Sequence, residues 1–103
     1  MRRKAGEKYN GWTNYETWLC ALWFSEDGLY DDLVELAKEL LAAHDENDVL
    51  YEIGKTMKSD VEDMTPDIPA SLYSDIMRAG IERIDYYEIA RHIVDDAKFD
   101  LDK

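Results

Sequence analysis

A chain of 103 residues has room for one domain, and 46% hydrophobic and 12% aromatic residues make it too apolar to remain disordered. Its 24 Asp and Glu against 12 Lys and Arg give a formal charge of −12, which disfavours nucleic acid and anionic membranes as partners and favours basic surfaces. The single cysteine, Cys20, excludes an internal disulfide, and no apolar run approaches the ~18 residues of a membrane span.

In chain order, residues 1–11 read as a basic, irregular N-terminal arm, with Arg2, Arg3, Lys4 and Lys8 in its first eight positions. No apolar stretch follows them, so a secretory leader is not expected and a cytoplasmic location is. Residues 12–103 read as one acidic helical domain. From position 9 onward eight basic residues face 23 acids, about −15 in all. Asn10-Gly11 is a turn signal. Thr13-Asn14-Tyr15-Glu16 has the form of a capping box, with Thr13 as the cap and Glu16 reaching back. Trp12, just before it, is placed to staple the first turn by packing on Thr17 or nearby. The first helix carries Tyr15, Trp18, Leu19, Leu22 and Trp23 at helical spacing, with Cys20, Ala21 and Phe24 between them. Apolar nearly all round, it is expected to be the central, most buried helix, with Trp18 and Trp23 in the core.

Ser25-Glu26-Asp27-Gly28 separates it from a second helix with a one-sided stripe: Leu29, Leu33, Leu36, Ala37, Leu40 and Leu41. A third helix, capped by Asn47 or Asp48, continues through Val49, Leu50, Ile53, Met57, Val61 and Met64, with Gly54 a weak point. Thr65-Pro66-Asp67-Ile68-Pro69 is a loop. Ser71 or Pro69 opens a short fourth helix through Leu72, Tyr73, Ile76 and Met77, which Gly80 ends or bends. Asp85 starts a fifth helix with Ile89, Ala90, Ile93, Val94 and Ala97 on one face. No segment alternates as a strand does. The expected fold is therefore all-α: a compact single domain of about five helices, orthogonal or bundle-like.

Chemistry-bearing patterns are scarce. Cys20 lies between Leu19 and Ala21 in the most apolar segment and reads as a small buried hydrophobe. His92 and Asp96 share a helix face but lack further ligands, so no metal site is expected. The acid-rich stretches 27–32 and 45–48 lack the ligand order of a calcium loop. No phosphate-cradling or nucleophile motif is present, so neither a cofactor nor catalysis is expected. Two surfaces remain. The first is acidic: Asp31, Asp32, Glu35 and Glu39 on the second helix, then Asp45, Glu46, Asp48 and Glu52, then Asp60, Glu62 and Asp63 on the third. Carboxylates arrayed on rigid helices imitate a row of phosphates and suit a basic, nucleic-acid-binding protein surface. The second is aromatic: Tyr9 and Trp12 as an exposed anchor, since Trp and Tyr dominate binding hot spots.

Asn10-Gly11-Trp12-Thr13-Asn14-Tyr15-Glu16-Thr17-Trp18, followed by Ala21-Leu22-Trp23, resembles the opening of small, largely uncharacterised proteins of bacteriophages and mobile elements. Ile84-Asp85-Tyr86-Tyr87-Glu88-Ile89-Ala90 is similar to their closing helix. The resemblance implies an α fold and a phage-type origin, and brings no catalytic residues. It makes inhibition of a nucleic-acid-handling host defence protein, a CRISPR or restriction effector, the leading expectation. The alternative is a small non-catalytic adaptor or scaffold, possible as a homodimer, that binds through its aromatic N-terminal region.

Overall fold

The structure, a computed structural model, describes residues 8–102; the basic cluster Arg2, Arg3 and Lys4 lies outside the described residues. Five helices follow one another: α1 (Tyr15–Glu26), α2 (Leu29–Leu41), α3 (Glu46–Met64), α4 (Leu72–Glu82) and α5 (Tyr86–Leu101). Among the described residues the only β-type pairing is an isolated antiparallel bridge between Tyr9 and Trp12. It closes a two-residue turn in which Asn10 (φ 47°) and Gly11 (φ 89°) both take the left-handed backbone that such a turn requires. The chain is thus all-α, as its periodicity predicts.

The centre of the fold is α5, not α1. Ile89, Ala90, Ile93, Val94 and Ala97 are fully buried there, with Tyr86 close behind. Their one-sided spacing and modest size let α3 approach through Val49, Ile53 and Met57, and α2 through Leu33, Val34 and Ala37. In α1 only Thr17, Cys20, Ala21 and Phe24 are buried. A helix apolar all round buries only the sides its neighbours reach, so Trp18 is half-buried and Leu22 and Trp23 face water, Trp23 at 60% exposure. The expectation that Trp23 belongs to the core is overturned by this arrangement.

Helix starts also differ from expectation in instructive ways. Asn14, not Thr13, caps α1: its Oδ1 accepts from the Thr17 backbone N–H at 2.8 Å and from the Thr17 hydroxyl at 2.7 Å. The Thr13 N–H instead donates to Glu88 of α5 at 2.9 Å. Gly28, in the left-handed region at φ 78°, turns the chain from α1 into α2. Asp45 stands at the cap position of α3 without a side-chain bond, so Asn47 and Asp48 lie inside the first turn. Ser71 and Ser74 form a reciprocal capping box on α4, which passes through Gly80 without ending.

Gly54, a weak position for helix propensity, is also a fitted one. It is buried on α3, and a Cβ there would stand 3.0 Å from two ring carbons of Tyr87. The missing side chain lets the Tyr87 ring lie on α3, stacked with Tyr51 at 6.2 Å between centroids.

Helix α4 is the outlier. Only Ser74 is buried on it, while Leu72, Tyr73 and Ile76 are 69%, 75% and 61% exposed. The residues expected to bury this helix point outward; only Met77, with Ile81, turns inward and is half-buried.

Candidate functional site

The N-terminal aromatic motif works as an internal clasp. Asn14 Nδ2 donates to the Arg83 carbonyl at 2.8 Å, the Arg83 side chain meets Glu16 at 3.1 Å, and the Thr17 hydroxyl accepts from the Asp85 N–H at 2.9 Å. Asp85 in turn caps α5 by accepting from the Glu88 N–H at 3.1 Å. Residues 13–17 are thereby tied to the turn between α4 and α5. Glu16 completes a local capping-box pattern in sequence, but its partner in the fold, Arg83, lies 67 positions away.

The rings belong to the same construction. Trp12 packs on His92 of α5 at 4.4 Å, not on Thr17 as the staple reading expects. Tyr9 lies between Tyr15 at 5.1 Å and Trp18 at 5.0 Å. Both candidate anchors are half-buried in these contacts, so a partner would have to compete with internal packing for their faces.

The acidic residues divide into two groups. Asp31, Asp32, Glu35 and Glu39 are exposed on α2, and Asp45, Asp48 and Glu52 are exposed across the short 42–45 turn at the start of α3. Two members of this group are neutralised. Glu35 meets Lys38 at 3.0 Å, which also reaches Asp100 at 3.1 Å. Glu46 is held by Lys98 and by Arg91 at 3.7 Å; the Lys98 hydrogen bond lowers its pKa and raises that of Lys98. Asp31, Asp32, Glu39, Asp45, Asp48 and Glu52 have no ion pair among the described residues. The second group, Asp60, Glu62 and Asp63, sits near the other end of α3, roughly 18 Å along the helix from Asp48. Partial burial, with Asp63 beside it, pushes the Asp60 carboxyl above its ordinary range. The eleven acids therefore do not form one surface.

Two clefts flank α4. One, of about 830 Å³, lies between α3, the 65–71 loop, α4 and the start of α5. Lys55, Lys58 and Arg78 line it without ion pairs among the described residues, but Glu62, Asp67, Glu82 and Asp85 line it too, so its charge selects no ligand sign. The buried Tyr86 hydroxyl, at its floor, has no hydrogen-bond partner among the described residues, and burial pushes its pKa up to about 12. The other cleft, of about 330 Å³, is apolar and lies between α1, the end of α3 and α4, lined by Leu19, Cys20, Trp23, Met64, Met77 and Ile81 among others.

Burial pushes the Cys20 thiol up to about 11, which keeps it protonated and unreactive at neutral pH. His92 and Asp96 do not act together: the His92 ring lies on Trp12, and Asp96 accepts from the Tyr30 hydroxyl at 2.5 Å. Among the described residues no group of three or more His, Cys, Asp or Glu side chains is placed to hold a metal ion, and no helix is long and apolar enough to cross a membrane.

No curated protein and no solved structure matches the chain. Residues 5–98 match a family of unknown function, DUF7249, and with nearly the whole chain covered the protein belongs to that family.

Proposed function

We propose that this is a non-catalytic binding protein that seats its α2 face and the start of α3 on the basic, nucleic-acid-binding surface of another protein. The observation that carries the reading is the set of six exposed carboxylates that have no ion pair among the described residues: Asp31, Asp32, Glu39, Asp45, Asp48 and Glu52. Asp32 and Glu39 stand roughly 10.5 Å apart along the axis of α2, about three of the roughly 3.4 Å axial charge steps of one nucleic-acid strand, with Glu35, paired to Lys38, between them. Held on helices, the carboxylates need little ordering on binding, so their charge steers the encounter at small entropic cost. The phage-type resemblance makes a host CRISPR or restriction effector the first partner class to test. The aromatic-anchor alternative is weaker because Tyr9 and Trp12 already serve the clasp.

The test is competition. The protein should displace duplex DNA from such an effector, with affinity falling steeply as salt rises. Reversing Asp32, Glu35 and Glu39 to Lys should abolish displacement, while reversing Asp60, Glu62 and Asp63 should leave most of it. Unchanged displacement by the α2 variant would sink the proposal.

A further inference from the structure

The charges around the cleft between α3 and α4 sum to no preferred sign, but their placement has an order. Of the lysines and arginines at positions 9–102, Lys38, Arg83, Arg91 and Lys98 are ion-paired. Those that are not, Lys55, Lys58 and Arg78, all line this one cleft. Its acids Glu62, Asp67 and Glu82 have no ion pair among the described residues either. Each helical wall therefore carries both signs: Lys55, Lys58 and Glu62 on α3, Arg78 and Glu82 on α4. No ion pair closes across the gap, although the chain has twice as many acids as bases. The space between the walls, about 830 Å³, lies within the ordinary range of small-ligand sites.

We propose that this cleft binds a small aromatic zwitterion, the chemistry of an aromatic amino acid or of a short peptide that carries one, and that the Tyr86 hydroxyl donates to it. The ligand carboxylate falls to Lys55, Lys58 and Arg78, and its ammonium to Glu62, Asp67 and Glu82. Such a ligand has no net charge, so a body of −12 does not repel it as it repels a simple anion. A simple cation would leave the three basic side chains without a partner. The ring falls to Tyr51 and Tyr87, which also line the cleft, each about half exposed, with ring planes 24° apart. Their flat surfaces favour a third ring over an aliphatic chain. Gly54 holds this wall in place, since a Cβ there would press on the Tyr87 ring.

Tyr86 is a second, independent pointer to the same place. It is 9% exposed, it lines the cleft, and its hydroxyl has no hydrogen-bond partner among the described residues. A buried hydroxyl left unsatisfied destabilises the free protein, and a phenylalanine would fill the same space without that penalty. The hydroxyl is closed off in the free form. The outer wall of the cleft, however, is α4, which buries only Ser74 and leaves Met77 and Ile81 half-buried. A wall held this lightly yields to a ligand oxygen, which then accepts from Tyr86. The cleft shares no residue with the α2 face or with Asp45, Asp48 and Glu52, so this proposal and the acidic-face reading fail independently.

Titrating the full chain with L-tryptophan and with glycyl-tryptophyl-glycine, followed by amide and tyrosine-ring chemical shifts, tests the inference. The expected result is saturable shifts at Tyr51, Lys58, Arg78 and Tyr87 at millimolar ligand, and the tighter of the two probes tells amino acid from peptide. Acetylating the amine of the binding probe, or esterifying its carboxylate, should each weaken binding about 10-fold or more, as loss of a charge-assisted hydrogen bond does. Arg78→Glu should weaken it by a similar factor without changing the helical circular dichroism, since Arg78 is exposed. Tyr86→Phe should weaken binding roughly 2- to 10-fold while raising the urea midpoint, a combination that a purely structural tyrosine does not give. No saturable shift with either probe, shifts confined to other faces, blocked forms that bind as well as the parent, or unchanged binding by Tyr86→Phe would each overturn the proposal.

Discussion

Helices α4 and α5 are neighbours in sequence, similar in apolar content and opposite in fate. On α5 the apolar stripe meets α2 and α3 and vanishes from solvent. On α4 the most apolar positions look outward, although Met77 and Ile81 give it an inner side as well. The residues between them explain the contrast. The clasp of Asn14, Glu16 and Thr17 fixes residues 83–85 firmly, so α5 starts in a defined place while α4 is tied mainly at its C-terminal end. Apolar periodicity predicts that a face will be covered; it does not say by which element, or by which molecule.

The widest separation between the two helices should appear in core truncation. Ile93 is fully buried on α5, and Ile93→Ala should cost about 2–5 kcal/mol in urea denaturation, as deletions that leave a core cavity do. Ile76 is 61% exposed on α4, and Ile76→Ala should change stability by less than about 0.5 kcal/mol in the same measurement. Equal losses would mean that α4 is packed as tightly as α5.

Next in size is the clasp. Thr17→Val keeps the shape but removes the hydroxyl that links the Asn14 cap to the Asp85 N–H. Leaving that amide without its acceptor should cost roughly 1–3 kcal/mol. Amide exchange should accelerate most at residues 85–88, and an unchanged protection pattern there would show that the clasp does not position α5.

How much of this was legible in advance follows the same division. The five helices were, because apolar spacing and caps such as Ser71 and Asp85 are local signals. The core face of α5 was legible because its stripe has a single side. The ranking of α1 above α5 was not, since a helix apolar all round carries no direction, and burial was decided by which neighbours reached it. The individual acids were legible as exposed groups, and the Glu35–Lys38 pair is a local i,i+3 contact on α2; the reach of Lys38 to Asp100 and the neutralisation of Glu46 by Lys98 were not legible, because they depend on α5 lying beside α2 and α3. The clasp was visible only as a motif, because its partners at 83–88 are distant in sequence. The outward strip of α4 had one signal available: Ser74, Met77 and Ile81 lie opposite Leu72, Ile76 and Ala79, so this helix has two apolar sides and a small body can cover only one.

Tyr86, at the junction of the two helices, should respond in the opposite direction to the clasp. Its hydroxyl is buried without a partner among the described residues. Tyr86→Phe should therefore raise stability at neutral pH by roughly 1 kcal/mol. The pH dependence follows from burial, which raises its pKa from 10.0 to about 12, with Cys20 and Glu62 adding to the shift. A phenol that ionises less readily when folded contributes fully below pH 10 and loses that contribution as pH rises toward 12. Phe at this position should flatten the alkaline fall in stability over that window. Cys20, raised from 9.0 to about 11, produces a similar fall one unit lower, so Cys20→Ala separates the two. An alkaline profile unaltered by either change would contradict the burial of both groups.

The smallest expected effect is at Gly54, where two terms of similar size oppose each other. Alanine in a helix interior is favoured over glycine by about 1 kcal/mol. The new Cβ, however, would meet Tyr87 at 3.0 Å, and relief requires that ring to swing outward and give up its stacking on Tyr51. Tyr87 is about half exposed, so it has somewhere to go, and Gly54→Ala alone should shift stability by less than about 0.5 kcal/mol. In a Tyr87→Ala background the opposition disappears, and the same substitution should stabilise by about 0.5–1 kcal/mol. The difference between backgrounds isolates the contact between α3 and α5 from helix propensity, since propensity is common to both arms of the cycle. If Gly54→Ala has the same effect in both, the glycine is there for some reason other than the Tyr87 ring, and the close approach that makes α5 central does not depend on it.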